Sequence, residues 1–524
     1  MTGHGVAAEK SPALILVTLC TWALLAWSTW GVFETALADA YGLAISSLLA
    51  SLHVAWMLFW LWAIHNFWHQ AASAFLPHPR PKLTTAWVGE PVAVLYMTCD
   101  DFDPLACEAC LAQSHPNTRL IICDDSQSEA ARRAIDAWVA QRGSEVTVSR
   151  RGNRVGYKAG NLNHAIAQHV REAFIVICDA DEILPRDFVA SLLGYFAAPS
   201  IAFVQARHEA RSDGATRFST VLGPTIKIFH DYCLPMRNRF GFVACYGHGV
   251  MLRRSAWEAI GGFPEVTSED LAFASRALTH GLRGVYAEAV VAQEAFPPNY
   301  RAFIAKYRKI AGGTVEYFQR EYPRLLFSRQ ASLVEKLDIA LTFSFCVGGL
   351  VTLVSVIGAL ALSLLSDNPG RGQLAAWVFL VWLVGPLTPI FALAKGRFPT
   401  PGSALRYLVT TTVAFVSLAP ILAARVIAQL FDRRSTAFEV TGVAATQRDP
   451  VLRYAAIAGS GLCTLVAAVT LRSPAFAPLL SFSMMLVLGP LMALSERRDA
   501  LGFVGRNCVF LPFLALAGSL AWPP

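Results

Sequence analysis

Seven apolar runs constrain what this chain can become more than any other feature. About 20 predominantly apolar residues are enough to cross a bilayer as a helix. Runs of that size occupy 12–33, 43–64, 337–365, 374–394, 451–471, 474–494 and 501–522. Charged residues form only 15% of the 524, against about 25% in soluble domains, so these runs cannot all be buried under a polar shell. A further apolar stretch, 405–430, is interrupted by Pro420 and Arg425. By contrast, 84–300 holds no such run and carries nearly all the acidic motifs. The expected architecture has two membrane helices within 1–70 and a soluble domain over 84–300. An interfacial helix over 300–330, two crossings over 337–394 and three over 451–522 follow.

Basic residues orient the chain. The 34–41 connection holds Glu34 and Asp39 and neither Lys nor Arg. Lys10, Arg80, Lys82, Arg329, Lys336, Arg433, Arg434, Arg497 and Arg498 flank other runs. The positive-inside bias then places the soluble domain in the cytosol. The first run is too long for a signal-peptide core and is followed by a second, so it reads as an anchor. The net charge of +7, 44 basic less 37 acidic residues, is spread along the chain. It reads as membrane-flanking charge and implies no nucleic-acid partner. Several of the eleven cysteines lie in apolar runs or cytosolic strands, where thiols stay reduced. Cys107-Glu108-Ala109-Cys110 has no second pair to complete a metal site.

Three acidic segments follow one another in the soluble part: Asp124-Asp125, Asp179-Ala180-Asp181 and Ser268-Glu269-Asp270. Leu120-Ile121-Ile122-Cys123 precedes the first, and Phe174-Ile175-Val176-Ile177-Cys178 precedes the second. Short apolar runs alternating with helical stretches predict a parallel sheet. Ligands of such sheets bind at the carboxyl ends of the strands, so the acidic residues should converge on one crevice. Asp179 and Asp181 offer the hard oxygen ligands that Mg2+ or Mn2+ takes alongside phosphate oxygens. Lys158 adds a point charge, and the Gly160-Asn161 turn is expected to present backbone N–H groups. As plain structure, Ser268 or Asp270 would cap the following helix, and Asp124-Asp125 would close an Asx-turn.

In combination these motifs resemble family 2 glycosyltransferases, and among them the membrane-embedded synthases typified by bacterial cellulose synthase. The likeness runs from about residue 92 to residue 441. Thr98-Cys99-Asp100-Asp101 stands where the family has Thr-Tyr-Asn-Glu, and Cys123-Asp124-Asp125-Ser126 matches its Asp-Asp turn. Lys158-Ala159-Gly160-Asn161-Leu162-Asn163-His164 reproduces the synthases' own segment, and Asp179-Ala180-Asp181 is the DxD. Phe203-Val204-Gln205, Tyr246-Gly247-His248-Gly249 and Ser268-Glu269-Asp270 take the places of the acceptor-path strand, Phe-Cys-Gly-Ser and Thr-Glu-Asp. The resemblance implies a GT-A type α/β domain with a mixed, mostly parallel sheet. Thr98, Asp101, Asp124, Asp125, Lys158 and Asp179 would bind a UDP-sugar. Asp179 and Asp181 would hold Mg2+ or Mn2+. Asp270 would be the general base of an inverting transfer, Glu269 would orient the site, and Arg308 would neutralise the diphosphate. Gln205, Tyr246, His248 and Tyr307 would line the acceptor path.

The chain departs from that pattern twice. The synthases' Gln-x-x-Arg-Trp, whose Trp stacks on the acceptor sugar, is replaced by Ala305-Lys306-Tyr307-Arg308-Lys309. Phe438-Glu439-Val440-Thr441 resembles the start of a gating loop over the nucleotide, but its Lys position is Val443. Phe438, Val440 and Thr441 can reach the donor only from the cytosol, so 405–450 is expected to hold an interfacial or re-entrant helix and that loop. The implied protein lies in the bacterial inner membrane. It would polymerise a UDP-sugar, UDP-glucose first, into a β-glycan that leaves through the membrane helices. Lipid and a periplasmic export partner would be its other contacts. The alternative is transfer of one sugar to a lipid-linked acceptor, which the missing Trp favours. A non-catalytic export subunit would not need Asp179, Asp181 and Asp270 together. With the chain ending at Pro524, an appended cyclic-dinucleotide regulatory domain is not expected.

Overall fold

The computed structural model describes residues 10–38, 42–365, 391–392, 395, 398–432, 451–470, 476–493, 508 and 511–512. Eight strands form one sheet: β1 Val92–Thr98, β2 Thr118–Asp124, β3 Val146–Arg150, β4 Phe174–Asp179, β5 Glu182–Ile183, β6 Ile201–Ala210, β7 Val250–Arg253 and β8 Arg283–Glu294. Their order is β3-β2-β1-β4-β7-β6-β8-β5. β1 pairs parallel with β2 and β4, β2 with β3, and β6 with β8. β7 is antiparallel to both of its neighbours, and β5 is antiparallel to β8. The sheet is therefore mixed and mostly parallel.

The apolar runs read as strands because both faces of the sheet are covered. Ala93, Leu95 and Met97 of β1 pack into one core layer, and Val92, Val94 and Tyr96 into the other. Ile175 and Ile177 of β4 alternate with Phe174 and Val176 in the same way. Each fully buried Val, Leu or Ile contributes about 1.5–3 kcal/mol, so a one-residue slip would cost several such terms at once. That rigid centre sets where the strands end.

Among the described residues, four helical stretches are long and apolar enough to cross a membrane: Ala13–Gly31, Leu43–Phe75, Leu333–Gly358 and Pro401–Phe431. Ile457–Thr470 and Leu479–Leu491 are shorter apolar helices. The second helix continues well past residue 64, and its last turns are buried. The third begins at Leu333 and tightens to a 3-10 turn at Ser344–Val347 before Gly348–Leu365. The stretch expected to be interfacial or re-entrant is long enough for a crossing, and it divides into Pro401–Val416 and Ala419–Phe431, with Pro420 in the first turn of the second helix. Most of 374–394, all of 433–450 and most of 501–522 lie outside the described residues, as do Phe438, Val440 and Thr441.

Candidate active site

Thr98, Asp124 and Asp179 each end a strand. Thr98 lies opposite Asp124, and Asp179 opposite Met97. The chain reverses its direction of travel across the sheet between β1 and β4, which is where open α/β sheets leave a ligand crevice. Asp101 Oδ1 accepts hydrogen bonds from Thr98 Oγ1 at 3.0 Å and Cys99 N at 2.7 Å, so these two expected donor contacts hold each other. Asp124 accepts from Ser126 N at 2.9 Å, closing the Asx-turn, and from Arg150 Nε at 2.6 Å. Asp125 takes a two-pronged contact from Arg151 at 2.8 and 2.6 Å. Arg150 and Arg151 were missed in the sequence. The signal for Arg150 was its register: it is the β3 neighbour of Asp124.

Lys158 opens the Tyr157–His169 helix, and its Nζ lies 2.6 Å from Asp179 Oδ1. Burial alone would lower the Lys158 ammonium, but Asp179 and Glu269 raise it. Burial would also raise the Asp179 carboxyl, but Lys158, His248 and Lys309 hold it below the ordinary range. Gly160 and Asn161 do not form the donor-facing turn that was expected. They belong to this helix, and Gly160 N donates to Gly156 O at 3.0 Å. A Cβ on Gly160 would meet Val155 O at 2.0 Å, so glycine serves close packing there. Asn161 ties the helix to Cys123 O at 3.1 Å. Asn163 bonds both backbone groups of Phe263, at 2.9 and 2.8 Å.

Asp181 lies in the crevice yet faces solvent. Enclosure by protein and the neighbouring Asp179 and Glu294 push its carboxyl up to about 7. Two carboxylates that resist sharing one cleft fit a hard divalent cation, which takes one or two carboxylates and relieves the repulsion. Glu269 and Asp270 form the first turn of the Glu269–Thr279 helix. Ser268 makes no side-chain cap there, and Asp270 Oδ1 accepts from Leu271 N at 2.7 Å. Burial raises both carboxyls, and Asp270 adds to the rise of Glu269.

The expected acceptor residues separate. Gln205 is fully buried. Its Oε1 accepts from Tyr246 N at 2.9 Å, and its Nε2 reaches His248 O and Gly249 O, each at 3.1 Å. It props the segment before β7 and is shut off from solvent. Tyr246 packs edge-on against Phe229 and near His230. Tyr307 sits against Phe303 and Phe415, the latter on a long apolar helix. His248 bridges Glu182 at 3.1 Å and Glu294 at 3.2 Å and stacks on His208. Glu182, His208 and His248 have ligand-forming atoms within 4.8 Å of one another. Both His248 nitrogens face carboxylates, an arrangement that favours a protonated ring.

Burial would lower His248, but Glu182, Glu294 and Asp179 raise it to about 10, against about 6.5 in an unfolded chain. Its ion pairs therefore stabilise the fold fully below about pH 6.5 and are lost as pH rises through about 10. The melting-temperature gap between the parent protein and His248→Gln should narrow steadily from about pH 7 to about pH 10. A gap that stays constant over that range would rule out a stabilising imidazolium.

The Tyr300–Arg320 helix covers the crevice. Lys309 acts on Glu269, Asp179 and Asp270, and Lys306 on Glu294 and Asp181. Arg308 lies between them and is half-buried. The spacing of three places both lysines on one helix face. The helix approaches its neighbours closely at Gly312 and Gly313. A Cβ on Gly313 would meet Ser268 Oγ at 2.6 Å, and one on Gly312 would meet Arg425 Nε at 2.5 Å. Thr267 N and Oγ1 donate to Glu316 Oε2 at 3.0 and 2.7 Å. The loop that leads into Glu269 and Asp270 is thereby fixed to a helix that itself packs on Ala419–Phe431.

Residues 174–428 match the family model described as glycosyl transferase family group 2. Probable glucomannan 4-beta-mannosyltransferase 1 of Arabidopsis thaliana is 28% identical over 243 residues, covering 44% of this chain and 43% of that protein. Glucomannan 4-beta-mannosyltransferase 1 of Cyamopsis tetragonoloba is 26% identical over 247 residues, 44% of this chain and 46% of that protein. The chain thus spans less than half the length of these curated relatives. The solved mannosyltransferase PcManGT from Pyrobaculum calidifontis, in complex with GDP-Man and Mn2+, aligns at a TM-score of 0.50 and 18% identity. That alignment covers 74% of this chain and 99% of that one, and at such identity the likeness is one of fold. The chain therefore has a GT-A-like mixed-sheet domain, and its residues 174–428 are similar to glycosyl transferase family group 2.

Proposed function

We propose that the protein is an inverting hexosyltransferase of the bacterial inner membrane. It extends a β-glycan from a nucleotide-diphosphate sugar on the cytosolic side and passes the product out between its membrane helices. The observation that carries this reading is the meeting of Lys158, Asp179, Asp181, Glu269 and Asp270 in one crevice, roofed by a helix that packs on a membrane-type helix. Asp270 takes the proton of the acceptor hydroxyl, and its raised carboxyl makes it a better base near neutral pH. Lys158 and His248 place positive charge beside Asp179, where the leaving diphosphate would collect negative charge. Asp179 and Asp181 would hold Mg2+ or Mn2+, which when bound supplies Lewis-acid stabilisation of the diphosphate.

UDP-glucose is the first donor to test. The mannosyltransferase relatives favour a mannosyl nucleotide as the second. Lys309 at the stacking position favours, as a second acceptor reading, transfer of one sugar to a lipid-linked acceptor. Purified protein in detergent should be given radiolabelled UDP-glucose or GDP-mannose with Mg2+ or Mn2+, and the product sized while little donor has been used. Long product at low conversion is expected. A single-sugar lipid adduct would replace the polymerase with the second reading, and no transfer from either donor would overturn both.

A further inference from the structure

Three membrane-type segments converge on one buried charge beneath the catalytic domain. Asp338, on Leu333–Phe343, is 0% exposed. Its Oδ1 faces His65 Nε2 at 2.7 Å and accepts from Thr342 Oγ1 at 3.1 Å. The Arg237 guanidinium and His69 Nε2 each stand 3.6 Å from that oxygen. His65 and His69 are one turn apart on Leu43–Phe75, and Thr18 of the first helix lies 3.5 Å from His65 Nδ1. Lys10 donates to Arg237 O and Asn238 O, each at 3.0 Å. The donor atoms of His65, His69 and Asp338 lie within 4.8 Å of one another, a spacing that a metal could use. With Arg237 beside Asp338 the carboxylate is already balanced, and a buried dication next to a guanidinium would be repelled.

The other oxygen of Asp338 points to the catalytic domain. Oδ2 accepts from Phe242 N at 2.6 Å. A Cβ on Gly241 would lie 2.3 Å from that oxygen, so the contact requires glycine. From there the chain runs buried through Phe242, Val243, Ala244 and Cys245. Gln205 pins it at Tyr246 N, and Glu182 Oε2 pins it at Gly249 N, 2.9 Å away. Between those pins Gly247 has φ +78°, and a Cβ there would lie 3.2 Å from Asp270 Cβ. The 241–249 segment is thus fixed at one end by the membrane helices and at the other beside the DxD, and it passes against the expected base.

We propose that Asp338 is a positioning residue of the transfer reaction: through Phe242 N it fixes the 241–249 segment, and through that segment the membrane helices set the wall of the crevice at Asp270. The inference rests on the function proposed above for the reaction it affects. Gly241→Ala tests it without removing a polar group, and Asp338→Asn keeps one acceptor oxygen while removing the charge. A displacement of ~1 Å at a reacting group can cost ~10²-fold, so both variants should lower kcat by ~10-fold or more, with nucleotide affinity unchanged by calorimetry. The nucleotide-side carboxylates Asp124 and Asp125 take their hydrogen bonds from Ser126, Arg150 and Arg151, outside that segment. His65→Gln, which keeps a donor to Asp338, should restore what His65→Leu loses. Hydrogen exchange supplies a readout independent of turnover: in Asp338→Asn, amides from Phe242 to Gly249 should lose protection together. Folded variants with parental kcat, loss of protection at Phe242 alone, or kcat and nucleotide affinity falling together would overturn the joint. An inactive parent protein with cooperative exchange along the segment would fault the proposed function and leave the joint standing.

Discussion

Asp270→Asn is expected to lower product formation by ~10²–10⁴-fold, the range a positioned general base supplies, while nucleotide affinity stays at the parental level. The separation follows from where the groups sit. The proposed nucleotide-side contacts, Thr98, Asp101, Asp124 and Asp125, lie at or just beyond the ends of β1 and β2. Asp270 is in the first turn of Glu269–Thr279, and Thr267 of the loop before that helix is anchored to Glu316. Asn keeps the side-chain oxygen that Leu271 N donates to, so the helix start should survive. What is lost is a carboxylate made more basic by burial. Calorimetry with UDP and GDP beside product formation reads the two effects. If affinity and transfer fall by the same factor, Asp270 is a donor contact or a structural group.

The parts of this site legible in the sequence were those in which local order dictates chemistry. Phe174–Asp179 read as a strand because both of its faces are apolar, and a strand that ends in Asp-x-Asp at a sheet's carboxyl edge has few other uses. The misread residues share a different cause. Gly160 and Asn161 read as a ligand turn, yet they hold a helix to Val155 and Cys123. Gln205 looked like an acceptor contact and is an internal prop. In each case the partner lies on another element, and sequence spacing carries no record of it. Asp338 is the extreme case. A lone acid at the edge of an apolar run reads as flanking charge, and its partner His65 is 273 positions away. Lys309 could have been read sooner. A lysine at a position where an aromatic ring was expected, roofing a cleft of carboxylates, has an electrostatic reason to be there.

Asp179→Asn and Asp181→Asn should each abolish transfer, for reasons that differ enough to be told apart. Asp179 carries the ion pair with Lys158 at 2.6 Å. Its loss frees a buried ammonium beside Glu269 and Asp270, so Asp179→Asn should also weaken the fold, since removing one partner of a buried pair typically costs about 3–5 kcal/mol. Asp179 is partly exposed, so solvent screening should leave the actual cost at the low end or below it. Asp181 has no such partner among the described residues. Its neighbours Asp179 and Glu294 repel it, and Asp181→Asn removes that repulsion. It should therefore leave thermal stability equal to or above the parent's while Mn2+ binding is lost. Measured by calorimetry with Mn2+ and UDP, and by melting in detergent, the pair should split: both variants inactive and blind to the metal, only Asp179→Asn less stable. Transfer that persists in EDTA with both residues replaced would exclude the metal-dependent reaction. Parental Mn2+ affinity in Asp181→Asn would remove that residue from the metal site and leave the repulsion between the two carboxylates without a purpose.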